Sequence, residues 1–270
     1  MKILYFCTHW GNTLPFEKFC KNAKLAGYDG VEIDLPFDKN EKDVILKTLE
    51  GHGLKLIAQY WQSLEKDFKT NAQNYSKHLC NLAEAKPVLI NAQTGKDYFS
   101  FEQNMMLVSI AEKISEETGI EILHETHRGK FLFNLPIFQK SVEANKNIAI
   151  TLDASHWCTV HESMLDDQEE ALLLALQHTR HIHSRIGFEE GPQVNDPRAP
   201  EWKTRVDKYF SWWDQVVAIH QKNKQTLTVT PEFGPAPYMP AEPYTEKSLS
   251  SQWDVNLHML NLFKERYFTK

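Results

Sequence analysis

Short apolar runs alternate with longer amphipathic segments along all 270 residues of the chain. The runs fall at 2–7, 30–35, 54–61, 87–93, 119–125, 148–153, 180–186 and 226–232. Each is short, bounded by turn residues and too brief for a helix, so each predicts a strand. Between them apolar residues recur at helical spacing, which predicts helices over 16–26, 41–51, 71–85, 101–118, 136–144, 167–177, 206–221 and 246–267. Glycines stand where several of these helices must end, at Gly27, Gly53 and Gly119. Eight strands each followed by a helix, with no composition break or Ser/Gly linker, predict an α/β chain folded as a single (β/α)8 TIM barrel over residues 1–270. An open doubly wound sheet is the second choice. No GxGxxG follows the first run and no phosphate-cradling P-loop occurs, which counts against it.

Residues two apart on a strand share a face. In the last run Thr226, Thr228, Thr230 and Glu232 share one face, and Leu227 and Val229 the other. In the seventh, His181, His183 and Arg185 stand opposite Ile182 and Ile186. Two histidines and an arginine are costly to bury without partners, so the barrel interior is expected to be polar at this end.

Four of the runs close on residues that ligate metals: Glu125 in IEILHETHRG, Asp153 in IAITLDASHW, His183 in RHIHSRIG and Glu232 in TLTVTPEFGP. Each alone has an ordinary explanation: an ion pair with Arg128 or His127, a helix cap, a hydrogen-bonded core histidine, a solvated turn. Four independent strand ends all carrying such groups is not expected by accident. Three carboxylates and an imidazole make a hard to borderline site suited to Mn²⁺, Mg²⁺ or Zn²⁺. Other strand ends offer candidate substrate contacts: His9 after the first, Glu32 on the second, Gln59 on the third, Asn91 and Gln93 on the fourth, Arg185 on the seventh. Glu32 can equally fix a neighbouring basic group, and Arg185 can pair with Glu189. The proline-rich stretch 187–202 reads as an ordered loop over the barrel mouth, from which Asp196 and Arg198 can reach a substrate.

A net charge of -6 removes the basic surface that nucleic-acid binding needs. No stretch approaches the roughly 20 apolar residues of a membrane span. The first ten residues lack a signal-peptide core, and Cys7, Cys20, Cys80 and Cys158 are scattered without a CxxC pair. The expectation is a cytoplasmic enzyme with a small-molecule partner and neither nucleic acid nor membrane; a homo-oligomer is left open.

Taken in order, GYDGVEIDL, HETHRG, TLDASHW, HIHSR and PEFG resemble the xylose-isomerase-like TIM-barrel superfamily. The resemblance is greatest to its sugar phosphate isomerase/epimerase branch, which includes tagatose epimerase and hydroxypyruvate isomerase. It implies that Glu125, Asp153, His183 and Glu232 bind one divalent cation, manganese first, with magnesium, cobalt or zinc as alternatives. It also implies that His156 binds a substrate oxygen beside the metal. The apurinic-site endonucleases of the same superfamily use additional histidines at strands three and four, where this chain has Gln59, Asn91 and Gln93. Glu125 and Glu232, from strands five and eight, form the natural pair to remove and return a proton beside a sugar carbonyl. The expected function is therefore a metal-dependent sugar isomerase or epimerase working through an enediolate. The alternatives are a lyase or hydrolase on a keto-sugar or inositol derivative, and a catalytically silent carbohydrate-binding barrel.

Overall fold

The computed structural model describes residues 1–267. Strands β1 (Ile3–Thr8), β2 (Gly30–Ile33), β3 (Lys55–Tyr60), β4 (Ile90–Ala92), β5 (Ile122–Glu125), β6 (Ile150–Leu152), β7 (Thr179–His183) and β8 (Leu227–Thr230) pair in chain order. All pairs are parallel, and Ile3 opposite Leu227 closes the barrel between β1 and β8. The predicted TIM barrel is thus the observed one, with strand ends trimmed where the backbone leaves the ladder.

The helices start where short polar side chains can cap them. Asp38 accepts from Glu41 N at 2.9 Å ahead of Lys39–Gly51, and Asp67 from Thr70 N at 2.8 Å ahead of Phe68–Ala83. Ser100 and Gln103 form a reciprocal capping box at Phe101–Thr118, which ends on Gly119 at φ 72°. Most helix ends shift by one to three residues, and two differences are larger. The last helix begins at Gln252 rather than at 246, because the proline-rich chain before it runs as turns. A helix over Ala154–His161 was not expected at all; Asp153 caps it through Ser155 N at 3.0 Å.

Strand parity divides the side chains into two cores. Outward residues such as Val31, Ile90, Ile150, Ile182 and Val229 join the helix faces in one large apolar layer. Inward residues Leu4, Phe6, Ile57, Leu89 and Leu123 form a separate plug inside the barrel. Gly30 makes room for it: a Cβ there would meet the Phe6 ring at 2.4 Å and the Lys55 carbonyl oxygen at 2.5 Å. One step further along the same inward faces stand Glu32, Gln59, Asn91 and Glu125. The plug therefore forms a dry floor under a polar layer.

The loop after β7 is ordered, as expected. Gln193 clamps the loop after β8, accepting from Gly234 N at 2.7 Å and donating to its carbonyl at 3.2 Å. Asp196 and Arg198, expected to reach the substrate, pair with each other at 2.7 Å and do not line the cavity. No helix of the described residues is long and apolar enough to cross a membrane.

Candidate metal centre

Glu125, Asp153, His183 and Glu232 each bring one ligand atom to a common point, all within 4.8 Å of one another, and all four side chains are buried. They arrive from β5, β6, β7 and the residue after Pro231 beyond β8. His183 stands at the centre. Its Nδ1 lies 2.8 Å from Glu232 Oε2 and 3.8 Å from Glu125 Oε1, yet it is not aligned for a hydrogen bond to either.

Each ligand's other atoms are tied down. His183 Nε2 meets Glu32 Oε1 at 3.0 Å. Glu32 also accepts from Thr230 Oγ1 at 2.6 Å and from Asn91 Nδ2 at 3.0 Å, and lies 3.2 Å from His181 Nε2. Gln59 donates to Glu232 Oε1 at 3.3 Å, and Asn91 to Glu125 Oε2 at 3.0 Å. Asp153 Oδ1 caps the helix at Ala154–His161, while Oδ2 accepts from the wholly buried Arg185. Asp153 Oδ1 is filled by Ser155 N and Oγ, but Asp153 Oδ2 and the oxygens of Glu125 and Glu232 each still have a lone pair to offer.

The donor set fits a divalent cation. Burial pushes the Glu125 carboxyl up to about 8, with Glu232, Asp153 and Glu32 adding to the rise against His183. Burial alone would lower the His183 pKa, but Glu232 and Glu32 raise it well above the ordinary imidazole value. The cluster is thus short of positive charge, and a proton on His183 supplies only part of it. An orphaned ring nitrogen among three buried carboxylates is what a cation of the manganese or magnesium type would satisfy.

Above the cluster opens a cavity of about 720 Å³. Of the residues read from the sequence, His9, Gln59, Gln93, Glu125, Arg185 and Glu232 line it. Glu32 and Asn91 lie in the buried layer beneath, where Glu32 fixes basic groups. His156 is buried beside the cavity, its Nε2 2.9 Å from Arg185 Nη2. Arg185 pairs with Asp153 and lies on the Tyr238 ring at 4.9 Å, whereas Glu189 takes Arg205 at 3.1 Å. Trp10 lines the cavity beside His9, as its place after the first strand suggests; Asp34, His127 and Tyr238 also line it and were not singled out as site residues. Asp34 was findable, since it shares the face of Glu32; Tyr238 sits in an irregular loop that carries no periodic signal.

No family model matches the chain. An inosose dehydratase of Mesomycoplasma hyopneumoniae is 28% identical over 64% of this chain, and the chain spans 63% of that relative's length. A xylose isomerase-like TIM-barrel protein of Mycobacterium smegmatis, solved with magnesium, superposes with a TM-score of 0.64 at 11% identity, covering 97% of each chain. A 3-keto-D-glucoside 4-epimerase of E. coli gives 0.62 at 16% identity, covering 98% of this chain and 100% of that one. The closed eight-stranded barrel and these likenesses show the fold: a TIM barrel similar to those of the xylose isomerase-like protein and the epimerase.

Proposed function

We propose that this chain is a divalent-metal-dependent enzyme that moves a proton next to the carbonyl of a small sugar or polyhydroxy ketone, as an isomerase or epimerase. One observation carries the reading. Glu125 and Glu232 approach the same histidine nitrogen from β5 and β8, and each has its remaining oxygen held by a side-chain amide. The pair is rigid and spans one spot above the polar floor. Manganese is the first choice of ion, with magnesium, cobalt or zinc also suited to three oxygens and one nitrogen. Bound among Glu125, Asp153, His183 and Glu232, the ion would supply Lewis-acid polarisation of the substrate carbonyl.

The chain's own groups do the rest. Glu125 and Glu232 take and return the proton. Asn91 and Gln59 fix their orientation. His9 and Gln93, on the cavity wall, offer polar contacts to substrate oxygens, with His156 buried just behind the wall as a further candidate, and Arg185 steadies Asp153 and His156 while closing the cavity wall. Return of the proton to the same carbon gives epimerisation, and to its neighbour isomerisation.

A second reading follows from the inosose dehydratase likeness: a lyase that expels water from a keto-polyol after the same proton is removed. Incubating Mn²⁺-loaded protein with ketoses and inososes in D₂O tests both. Deuterium next to the carbonyl with unchanged composition supports the isomerase or epimerase; loss of water supports the lyase. Neither exchange nor water loss with any substrate would overturn the proton-transfer reading.

A further inference from the structure

Glu32 and Asp34 share the inward face of β2 and its extension, but their surroundings differ. Glu32 lies below the cavity, satisfied on both oxygens. Asp34 stands one step higher, on the cavity wall beside Ile33, Ile45 and Trp61. Its Oδ2 accepts from Gln62 Nε2. Its Oδ1 is shut off from solvent, and the Leu35 backbone N–H lies within reach of the carboxylate.

A half-buried carboxylate on a cavity wall, held by a single side-chain amide, keeps acceptor capacity for a hydroxyl brought by a ligand. Burial pushes the Asp34 carboxyl up to about 6, which leaves it ionised at neutral pH and poorly solvated. In a closed barrel of eight strands, β2 stands across from β6, which carries Asp153. Asp34 is outside the four-residue ligand cluster and lies on the cavity wall across the mouth from Asp153. Charge around it is one-sided. Arg185 is the sole arginine or lysine lining this cavity among the described residues, and it is engaged by Asp153.

We propose that Asp34 is a specificity-determining residue: it accepts a hydrogen bond from a hydroxyl at the substrate's remote end and excludes a phosphate or carboxylate there. The substrate class is thereby an uncharged polyhydroxy ketone. This rests on the reading that the cavity binds a polyhydroxy carbonyl compound, and it adds which end is read and with what charge.

Trp10 and Trp61 line the cavity, so tryptophan fluorescence can report binding without turnover. The Mn²⁺-loaded protein is titrated with D-fructose, its 6-deoxy and its 6-phosphate forms, and with an inosose, its deoxy and its phosphate forms. In at least one series the parent should bind roughly 10- to 100-fold more tightly than the deoxy form, as expected of a hydrogen bond to a charged acceptor, with the phosphate weakest. Asp34→Ala should erase the parent-to-deoxy ratio. Asp34→Asn, which keeps an acceptor oxygen but loses the charge, should retain much of that ratio and admit the phosphate. Should Asp34→Ala fail to fold, the gain of phosphate binding by Asp34→Asn decides alone. Ratios unchanged by substitution, a phosphate form bound as tightly as its parent, or no parent preferred over its deoxy form each overturn the proposal. Deuterium exchange is followed in the same samples. The expected ratios without exchange would sink the proton-transfer reading and leave Asp34 standing; exchange with ratios indifferent to Asp34→Ala would do the reverse.

Discussion

Two layers of the barrel interior are built on the same strands, two residues apart, and are opposite in character. Leu123 lies in the dry plug and Glu125 in the ligand cluster; Ile57 lies below Gln59, and Leu89 below Asn91. The lower layer removes apolar surface from water, at roughly 1.5–3 kcal/mol for each large side chain. The upper layer crowds Glu32, Glu125, Asp153 and Glu232 around His183 and works against the fold wherever charge is unbalanced. The contrast teaches that this barrel draws stability from its floor and outer face and holds a destabilising constellation at its mouth.

Substitutions in the two layers should therefore fail in different ways. Glu232→Gln should cut deuterium exchange by about 10³-fold or more, since it removes a proton-transfer group and a ligand. The melting temperature should hold or rise, because one of several crowded carboxylates is gone. Retained exchange would remove Glu232 from the base role. Phe6→Ala in the plug should do the reverse and cost about 3–5 kcal/mol in denaturant unfolding, since nothing can refill the space above Gly30. Manganese affinity of the folded Phe6→Ala protein should stay as in the parent. A plug variant that loses metal while keeping its stability would break the division between the layers.

The division was largely legible in the sequence because a strand's period of two survives closure. The apolar set Leu227 and Val229 and the polar set Thr228, Thr230 and Glu232 fall on the faces that simple alternation assigns them. The four ligand-type residues meet because strand ends converge on one mouth. Contacts made only by closure were not legible. Glu32 meets His181 and His183 across 149 and 151 residues of chain, and Asn91 links Glu32 to Glu125. An amide or carboxylate at a strand end looks the same in sequence whether it faces a ligand above or a histidine below. The helix at Ala154–His161 was hidden for a similar reason, since Asp153 both caps it and points a second oxygen at the cluster.

The buried support under the ligands gives a smaller, graded effect. Glu32→Gln keeps the shape but removes the anion that holds His183 Nε2, and should weaken manganese binding by about 10- to 100-fold in calorimetric titration. An unchanged affinity would show that Glu32 merely fills space.

The smallest expected effect is a slope. Glu125, pushed up to about 8, is the group whose proton an incoming cation must displace, and His183 also sits above its ordinary value. A raised carboxyl pKa means the proton is held below pH 8 and released above it. Manganese affinity should therefore rise with pH, by up to about tenfold per unit for each displaced proton, with a lessening of the slope near pH 8 as Glu125 loses its proton unaided. Calorimetry in buffers of different ionisation enthalpy should register the released proton. The Glu232→Gln protein should show a break at lower pH, because one of the charges that raise Glu125 is absent. A pH-independent affinity would mean that the upper layer is not the crowded, proton-holding site that sets it apart from the plug.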